Sequence, residues 1–310
     1  MNSQQQFSPE VVAKAGRILI KHQIASISLL QRHLHMGFTE TQNLMALLEA
    51  MGIVAAANET GRRDLAPVFR EGNPAFKEWA LRKFEGCDGG DPGEPGRPSI
   101  WLFGIEHGDS PHDERAPEVC DTTYSITRQR TYPYNRNAFK LLAVMHGYRV
   151  ENWLSFAEEY QPFVKGSRGF FKGNVYPIPC WNLEEWGPAA QQDTGFATKE
   201  RYMDWCRSHR LPVVEAWAEE HRPDVVICTG TSHRHEYARV FFAERPVELL
   251  QHQYGPRKYL FHGVLDGRII VVMRHLSGCR YSDHDLEYVG KYILQLRQNI
   301  AAAKGLMMPA

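Results

Sequence analysis

Two short turns carry side chains suited to catalysis. Glu106 lies in Gly104-Ile105-Glu106-His107-Gly108 and His275 lies in His275-Leu276-Ser277-Gly278, and each turn follows an apolar, β-branched run. A carboxylate can stabilise a developing positive charge or accept a proton, and an imidazole can donate a hydrogen bond to a leaving group. Glu and His are also common in solvated loops, so residue type alone leaves a purely structural role open.

Two other segments offer ligand contacts. Phe170 and Phe171 precede a second apolar run and Asn174 lies near its start, which provides a stacking face and an amide able to read a base edge. A third run ends in Gly230-Thr231-Ser232-His233 before a helix, where backbone N–H groups can hold a phosphate. His233 is equally compatible with an ordinary polar loop.

Four apolar runs, separated by helical stretches, must position these residues. Strands of this kind, buried on both faces, are typical of an α/β fold with a parallel sheet covered by helices. Ligands bind beyond the carboxyl ends of such strands, where the turns lie. The predicted strands are Ile100–Ile105, Gly173–Ile178, Asp224–Thr229 and Arg268–Arg274, and the helices between them include Asn137–Met145, Lys199–His221 and His235–Glu244.

A Gly- and Pro-rich segment, Gly86–Pro98, divides the chain. Gly, Pro and Asp displace nearly every apolar residue there, which predicts an interdomain linker. We therefore expect a small domain over residues 1–70, a connecting helix and linker over 71–98, and a larger domain over 99–310.

Composition narrows the possible functions. The formal net charge of the 310 residues is +0, so a nucleic-acid surface must be a local patch. The six cysteines form no C-x-x-C pair, which argues against a zinc or iron–sulfur site and for a reducing compartment, and the sequence implies no metal and no cofactor. No apolar run has the length of a signal segment or a membrane span, so we expect a cytoplasmic protein without a membrane partner.

The order and strand placement of the turns resemble those of the uracil-DNA glycosylase superfamily. GIEHG is similar to the family's GQDPY or GINPG at both glycines, with Glu106 where the family has a catalytic Asp or Asn. HLSG is similar to HPSP or NPSG at His275, Ser277 and Gly278. The segment beginning at Asn174 resembles the second-strand segment whose Asn recognises the base.

This resemblance implies a three-layer α/β/α sandwich with a central parallel four-stranded sheet and a monofunctional DNA glycosylase activity. Breaking an N-glycosidic bond leaves an oxocarbenium-like sugar and an anionic base. By resemblance, Glu106 stabilises the cation and activates water, His275 donates to the base carbonyl, and Asn174 reads a base flipped from the stack. No catalytic lysine is placed by the motifs, so a lyase step is not expected.

The departures from the family motifs bear on the substrate. Gly108 stands where uracil-specific members place a Tyr that blocks substituents at C5, so the resemblance implies a 5-modified pyrimidine, as met in DNA repair or in defence against phages with modified DNA. The residues also predicted to contact the base are His107, Phe170 and Phe171. The residues predicted to contact the DNA are Ser277, Gly278, Arg280 and Tyr281. Of these, Arg280 or Tyr281 stands at the family's wedge position.

The first 70 residues predict short helices and a hairpin. Ser8-Pro9-Glu10 has the form of a helix start, and a second helix is expected over Ser28–His35. Thr39-Glu40-Thr41-Gln42 predicts a capping box, and a hairpin is expected around Gly61-Arg62-Arg63. The apolar face of the third helix is predicted to comprise Leu44, Leu47, Leu48 and Met51.

Ala25–Val54 resembles the gamma domain of the FtsK DNA translocase, a winged helix, which implies DNA binding. Gln42 and Asn43 are expected to face outward, where they can pair with adenine in the major groove. Since no Lys or Arg occurs from position 33 to 61, Arg62 and Arg63 on the wing are the expected phosphate contacts. The same face is also compatible with a protein partner.

Two other functions fit the same residues. In the first, the protein is a non-catalytic transcription regulator whose winged helix binds an operator while the glycosylase-like domain senses a nucleobase or nucleotide. In the second, it is a partner-recruiting module of a replication complex. Excision that depends on Glu106 distinguishes the glycosylase from both.

Overall fold

The computed structural model divides into two compact units. The first unit, here the helical unit, comprises residues 1–76 with 192–197, and the second, the sheet unit, comprises 77–191 with 198–310. Among the helices of the described residues, none is long and apolar enough to cross a bilayer. The structure describes residues 7–59, 61–66, 71–106, 123–180, 185–242, 247–277, 281–303 and 305.

Three helices and a hairpin lie within residues 7–59 and 61–66 of the helical unit. Pro9 opens the first helix, and the Ser8 hydroxyl accepts a hydrogen bond from the amide of Val11 at 3.3 Å, as the sequence predicts. Val54 pairs with Leu65 to close the hairpin. The three helices are α1 (Pro9–His22), α2 (Ile27–Leu34) and α3 (Phe38–Ala50).

Two details of α3 differ from prediction. The helix begins after Gly37 without a side-chain cap, and the Thr41 hydroxyl donates to the Gly37 carbonyl inside the first turn, so the predicted capping box is wrong. Met51 is 57% exposed because it is the C-cap residue and leaves the helical face. Met45 is buried with Leu44 and Leu48 instead.

The sheet unit is built on a mostly parallel sheet. Four adjacent strands, β5-β4-β6-β9, run parallel, and three further strands extend the sheet in antiparallel pairings to give the order β1-β5-β4-β6-β9-β8-β7. The α/β class is therefore confirmed, and the antiparallel strands are an addition. The strands are β1 (Gly89–Gly90), β2 (Gly93–Glu94), β3 (Arg97–Pro98), β4 (Ile100–Gly104), β5 (Phe170–Asn174), β6 (Val225–Thr229), β7 (Leu250–Gly255), β8 (Lys258–Leu265) and β9 (Arg268–Met273).

Helices bury both faces of the central strands. Ile100 and Leu102 point into a core shared with α6 and α12, whereas the alternate residues Trp101 and Phe103 contact Phe241 of α11. The remaining helices are α4 (Pro74–Ala80), α5 (Ile126–Gln129), α6 (Pro133–Met145), α7 (Trp153–Tyr160), α8 (Pro188–Thr194), α9 (Lys199–Trp205), α10 (Leu211–His221), α11 (Arg234–Phe242) and α12 (Asp283–Ala303).

The structure corrects the predicted linker at Gly86–Pro98. Gly89 and Gly90 pair with β5 as an edge strand, and β2 and β3 form a short hairpin. A Cβ atom on Gly90 would lie 2.2 Å from the carbonyl oxygen of Phe170, and Gly90 has a φ of 100°. The glycines here permit close backbone approach, so the segment is part of the sheet unit.

Candidate active site

The candidate site lies at the carboxyl edge of the four parallel strands. Glu106 follows β4, Asn174 ends β5, Thr229 ends β6 and His275 follows β9. Adjacent strands lie about 4.8 Å apart, and β6 separates β4 from β9, so the turns with Glu106 and His275 begin on the order of 10 Å apart. The fold therefore brings the predicted carboxylate, amide and imidazole to one edge.

Asn174 is fixed from two sides. It is the register partner of Gly104 and is 4% exposed. Its Nδ2 atom donates to Asp88 Oδ2 at 3.3 Å, and because a carboxylate only accepts, this contact sets the orientation of the amide. A Cβ atom on Gly104 would lie 2.5 Å from Asn174 Oδ1, so a larger residue at this position of the first motif would displace the Asn174 amide.

Lys172, two residues before Asn174, is a buried ammonium with three partners. Its Nζ atom donates to Asp88 Oδ1 at 3.2 Å, Tyr124 Oη at 3.1 Å and Asn135 Oδ1 at 3.0 Å. Burial disfavours the charge, but the Asp88 carboxylate and the Tyr124 hydroxyl outweigh it and hold the pKa of Lys172 above its ordinary value. Lys172 therefore organises the site as a cation.

Tyr134 connects this cluster to His275. Its hydroxyl forms a 3.0 Å hydrogen bond with Thr229 Oγ1, its ring centre lies 5.0 Å from Lys172 Nζ, and its ring is 5.2 Å from that of His275. Burial raises the pKa of Tyr134 to about 12, so the phenol remains neutral.

His275 is held in one tautomer. Its Nδ1 atom accepts from the amide of Ser277 at 3.4 Å and lies 3.0 Å from the hydroxyl of the same residue. The His275 side chain is exposed, but partial desolvation by its neighbours and then the nearby Lys172 lower its pKa, so the ring is neutral at pH 7. A neutral imidazole that accepts at Nδ1 carries its proton on Nε2, which makes Nε2 a hydrogen-bond donor.

Glu106 forms a buried ion pair. Lys199, the first residue of α9, places Nζ 3.0 Å from Oε1 and 2.9 Å from Oε2, and the two side chains are 6% and 7% exposed. Burial raises the pKa of Glu106 while Lys199 opposes the rise, and the pKa remains above its ordinary value. The carboxylate is therefore a stronger base than an exposed glutamate.

Some predicted site residues lie elsewhere. The phenylalanines at 170 and 171 begin β5 rather than precede it, which places them at the end of the strand opposite Asn174, and both are buried, so neither ring is available to stack on a base. The Tyr281 hydroxyl donates to the Arg274 carbonyl at 3.0 Å and its ring packs against the core, which contradicts a role as wedge. The predicted residues His107, Gly108, Gly278 and Arg280 lie outside the described residues.

Sequence reasoning missed four residues of the site. No sequence pattern marks Tyr134 as a site residue, and Asp88 lies in the Gly- and Pro-rich segment that was interpreted as a linker. For Lys172 the available signal was a single lysine between the two phenylalanines and Gly173-Asn174 in the run FFKGN. Lys199 follows the helix cap Thr198, where a lysine is unremarkable.

The helical unit presents a second candidate surface. Gln42 and Asn43 are exposed on α3, as predicted. Arg62 is exposed on the hairpin, where its backbone amide donates to Asn58 Oδ1 at 2.9 Å. Arg63 pairs with Glu49 of α3 at 2.8 Å, so its charge is partly neutralised.

Residues 8–66 match the family model of the Ftsk gamma domain. One similar protein is DNA translocase FtsK 2 of Ralstonia nicotianae, 36% identical over 65 residues, which are 21% of this chain and 8% of that protein. Another is DNA translocase FtsK of Chlorobaculum tepidum, 42% identical over 52 residues, which are 17% of this chain and 6% of that protein. The chain thus spans less than a tenth of the length of either relative.

The gamma-domain match covers α1, α2, α3 and the hairpin. It confirms the resemblance of the N-terminal segment and ends at residue 66, before the sheet unit begins. The resemblance of the sheet unit to the glycosylases stays a prediction.

Proposed function

We propose that this protein is a DNA glycosylase whose gamma-domain unit binds DNA and whose sheet unit hydrolyses the N-glycosidic bond of a flipped pyrimidine. The observation that supports this most directly is the convergence of Glu106, Asn174 and His275 at the carboxyl edge of the parallel strands. These are the carboxylate, base-reading amide and donor that the chemistry requires.

In the proposed reaction each group has one task. Asn174 hydrogen-bonds the edge of the flipped base, with its amide oriented by Asp88. The Nε2–H of neutral His275 donates to the base carbonyl as negative charge develops there. Glu106 accepts a proton from the attacking water, a role favoured by its raised pKa.

DNA binding by the gamma-domain unit is supported by its similarity to proteins named as DNA translocases. Gln42 and Asn43 are exposed on α3, and their amides can pair with adenine in a major groove. Arg62 supplies positive charge at the hairpin, where a phosphate contact stabilises the complex.

A base-excision assay tests the proposal. Duplex and single-stranded oligonucleotides carrying uracil, mismatched thymine or 5-modified cytosine are incubated with the protein, and abasic sites are cleaved by hot alkali. We expect excision of at least one base and a loss of about 100-fold or more in Glu106→Gln. Glu94→Gln, an acid 65% exposed in the same unit, is the matched control and should retain activity. Absence of cleavage on every substrate contradicts the proposal.

A further inference from the structure

We infer that Lys199 is a second reactive group: its amine forms an imine with C1′ of an abasic deoxyribose, so the protein also cleaves the DNA strand at that sugar. This inference rests on the proposed function for the location of the sugar. It departs from the expectation of a monofunctional enzyme, which followed from motifs that place no lysine at the site.

The geometry pairs a nucleophile with a base. Lys199 Nζ lies 2.9 and 3.0 Å from the two carboxylate oxygens of Glu106. A sugar carbon in contact with that carboxylate, about 3–3.5 Å from an oxygen, is within roughly 6.5 Å of Nζ. A lysine amine hydrogen-bonded to a general base is the arrangement that activates an amine nucleophile.

Burial favours the proton transfer that this chemistry needs. Both side chains are more than nine-tenths buried, and removing two charges from water is costly even when they are paired. Passing one proton from Nζ to Glu106 leaves a neutral amine and a neutral acid, and the raised pKa of Glu106 acts in that direction. An ammonium beside Glu106 also weakens its stabilisation of a sugar cation, so the pair is better suited to proton exchange.

Lys172 provides an internal contrast. It is equally buried, but its three N–H groups are taken by Asp88, Tyr124 and Asn135, and its pKa is raised. It stays an ammonium and has no lone pair to offer. Lys199 differs in that its carboxylate partner is Glu106, whose raised pKa favours acceptance of the amine proton.

The reaction balances without an oxidant or a cofactor. The neutral amine attacks C1′ of the open-chain aldehyde, the N–C bond forms, and the aldehyde oxygen takes protons from the amine and from Glu106 and leaves as water. The ionised Glu106 then removes a proton from C2′, and the C3′–O bond breaks with the 3′ phosphate as the leaving group. One strand end is a 5′-phosphate and the other an unsaturated aldehyde, and water hydrolyses the imine to restore Lys199.

Borohydride trapping on DNA with a preformed abasic site tests the inference. Because the site is made beforehand by a different uracil glycosylase, base excision by this protein is not needed. Sodium borohydride reduces the imine to a stable amine, and we expect a covalent complex that mass spectrometry assigns to Lys199 in the unmodified full chain. Lys199→Arg retains a cation for Glu106 but cannot form the imine, so it should lose the complex, whereas Lys83→Ala, an exposed control, should retain it.

The outcomes separate the two proposals. A complex at Lys199 with no excision on the base panel supports the imine and overturns the glycosylase. Excision without a complex at Lys199, or with the complex at another lysine, overturns the inference and leaves the glycosylase standing. The peptide assignment uses the unmodified protein, so it decides the question even if Lys199→Arg does not fold.

Discussion

The carboxylate of Asp88 orients the amide of Asn174. Oδ2 accepts from Asn174 Nδ2 at 3.3 Å, while Oδ1 accepts from Lys172 Nζ at 3.2 Å. Asp88 lies in the edge segment that pairs with β5, so a Gly-rich stretch supplies the acceptor for two polar side chains of the central sheet. The edge segment is therefore part of the candidate site, and its loss would alter both side chains.

Replacing Asp88 by Asn should destabilise the sheet unit by about 3–5 kcal/mol, because the Lys172 ammonium would be left buried without a counter-charge. The tryptophans that the structure describes all lie in the sheet unit, so their fluorescence during urea unfolding follows this unit; they are Trp79, Trp101, Trp153, Trp186, Trp205 and Trp217. The control is Asp204→Asn. Asp204 pairs with Arg207 but is 65% exposed, and it should lose less than about 1 kcal/mol. Equal losses in the two variants would refute a buried ion pair.

Gly104→Ala should displace the Asn174 amide, since the new methyl would lie 2.5 Å from Oδ1. We expect a loss of about 1–3 kcal/mol in unfolding free energy, as for other overpacked cores, and a larger relative loss of base excision than of DNA affinity. Gly187→Ala is the matched control because no atom lies within 4 Å of its added methyl. Normal excision by Gly104→Ala would show that Asn174 does not read the base.

Hydrophobic pattern predicted the parallel strands well. Ile100–Gly104, Val225–Thr229 and Arg268–Met273 match the predicted runs within two residues. Each is apolar on both faces, because helices cover both sides of the sheet. The start of the second strand was placed three residues late, since Lys172 interrupts the apolar pattern and its burial depends on Asp88, which is distant in sequence.

The site was predictable only where a side chain follows a strand. Glu106 and His275 occupy such positions, as their place after an apolar run predicted, and their catalytic roles stay predictions. Lys199 is distant in sequence from Glu106, and no local sequence pattern predicts an ion pair between residues that only the fold brings together. Asp88 was missed for a different reason, since glycines that permit close backbone packing have the same composition as glycines that confer flexibility.

The stability of the sheet unit should fall as pH decreases below about 6.5. Burial lowers the pKa of the half-buried His146, and partial desolvation with the nearby Lys172 lowers that of the more exposed His275, so these rings stay neutral in the native state while the unfolded chain, with a pKa near 6.5, takes up protons. The unfolded state then binds more protons, and the stabilisation present above pH 6.5 is lost as pH falls through the native pKa values. Urea unfolding followed by tryptophan fluorescence at pH 7.5, 6.5 and 5.5 measures this. His146→Gln should flatten the decline, and a rise in stability towards pH 5.5 would contradict the assignment.

Arg62→Ala should weaken DNA binding in a salt-dependent way. If Arg62 contacts one phosphate, its removal lowers the slope of log affinity against log salt by about 0.9.

Asn43→Ala should instead change the preference among duplex sequences and leave the slope unchanged, because an amide that reads a base releases no counterion. Both effects are measured by fluorescence anisotropy of labelled duplexes at salt concentrations between about 50 and 200 mM, a range over which such slopes can be resolved. Lys291→Ala in the sheet unit is the charge-matched control, with a side chain 67% exposed. If Arg62→Ala and Lys291→Ala give the same slope as the unmodified protein, the hairpin does not contact phosphate, and the polar face of α3 is then better explained by a protein partner.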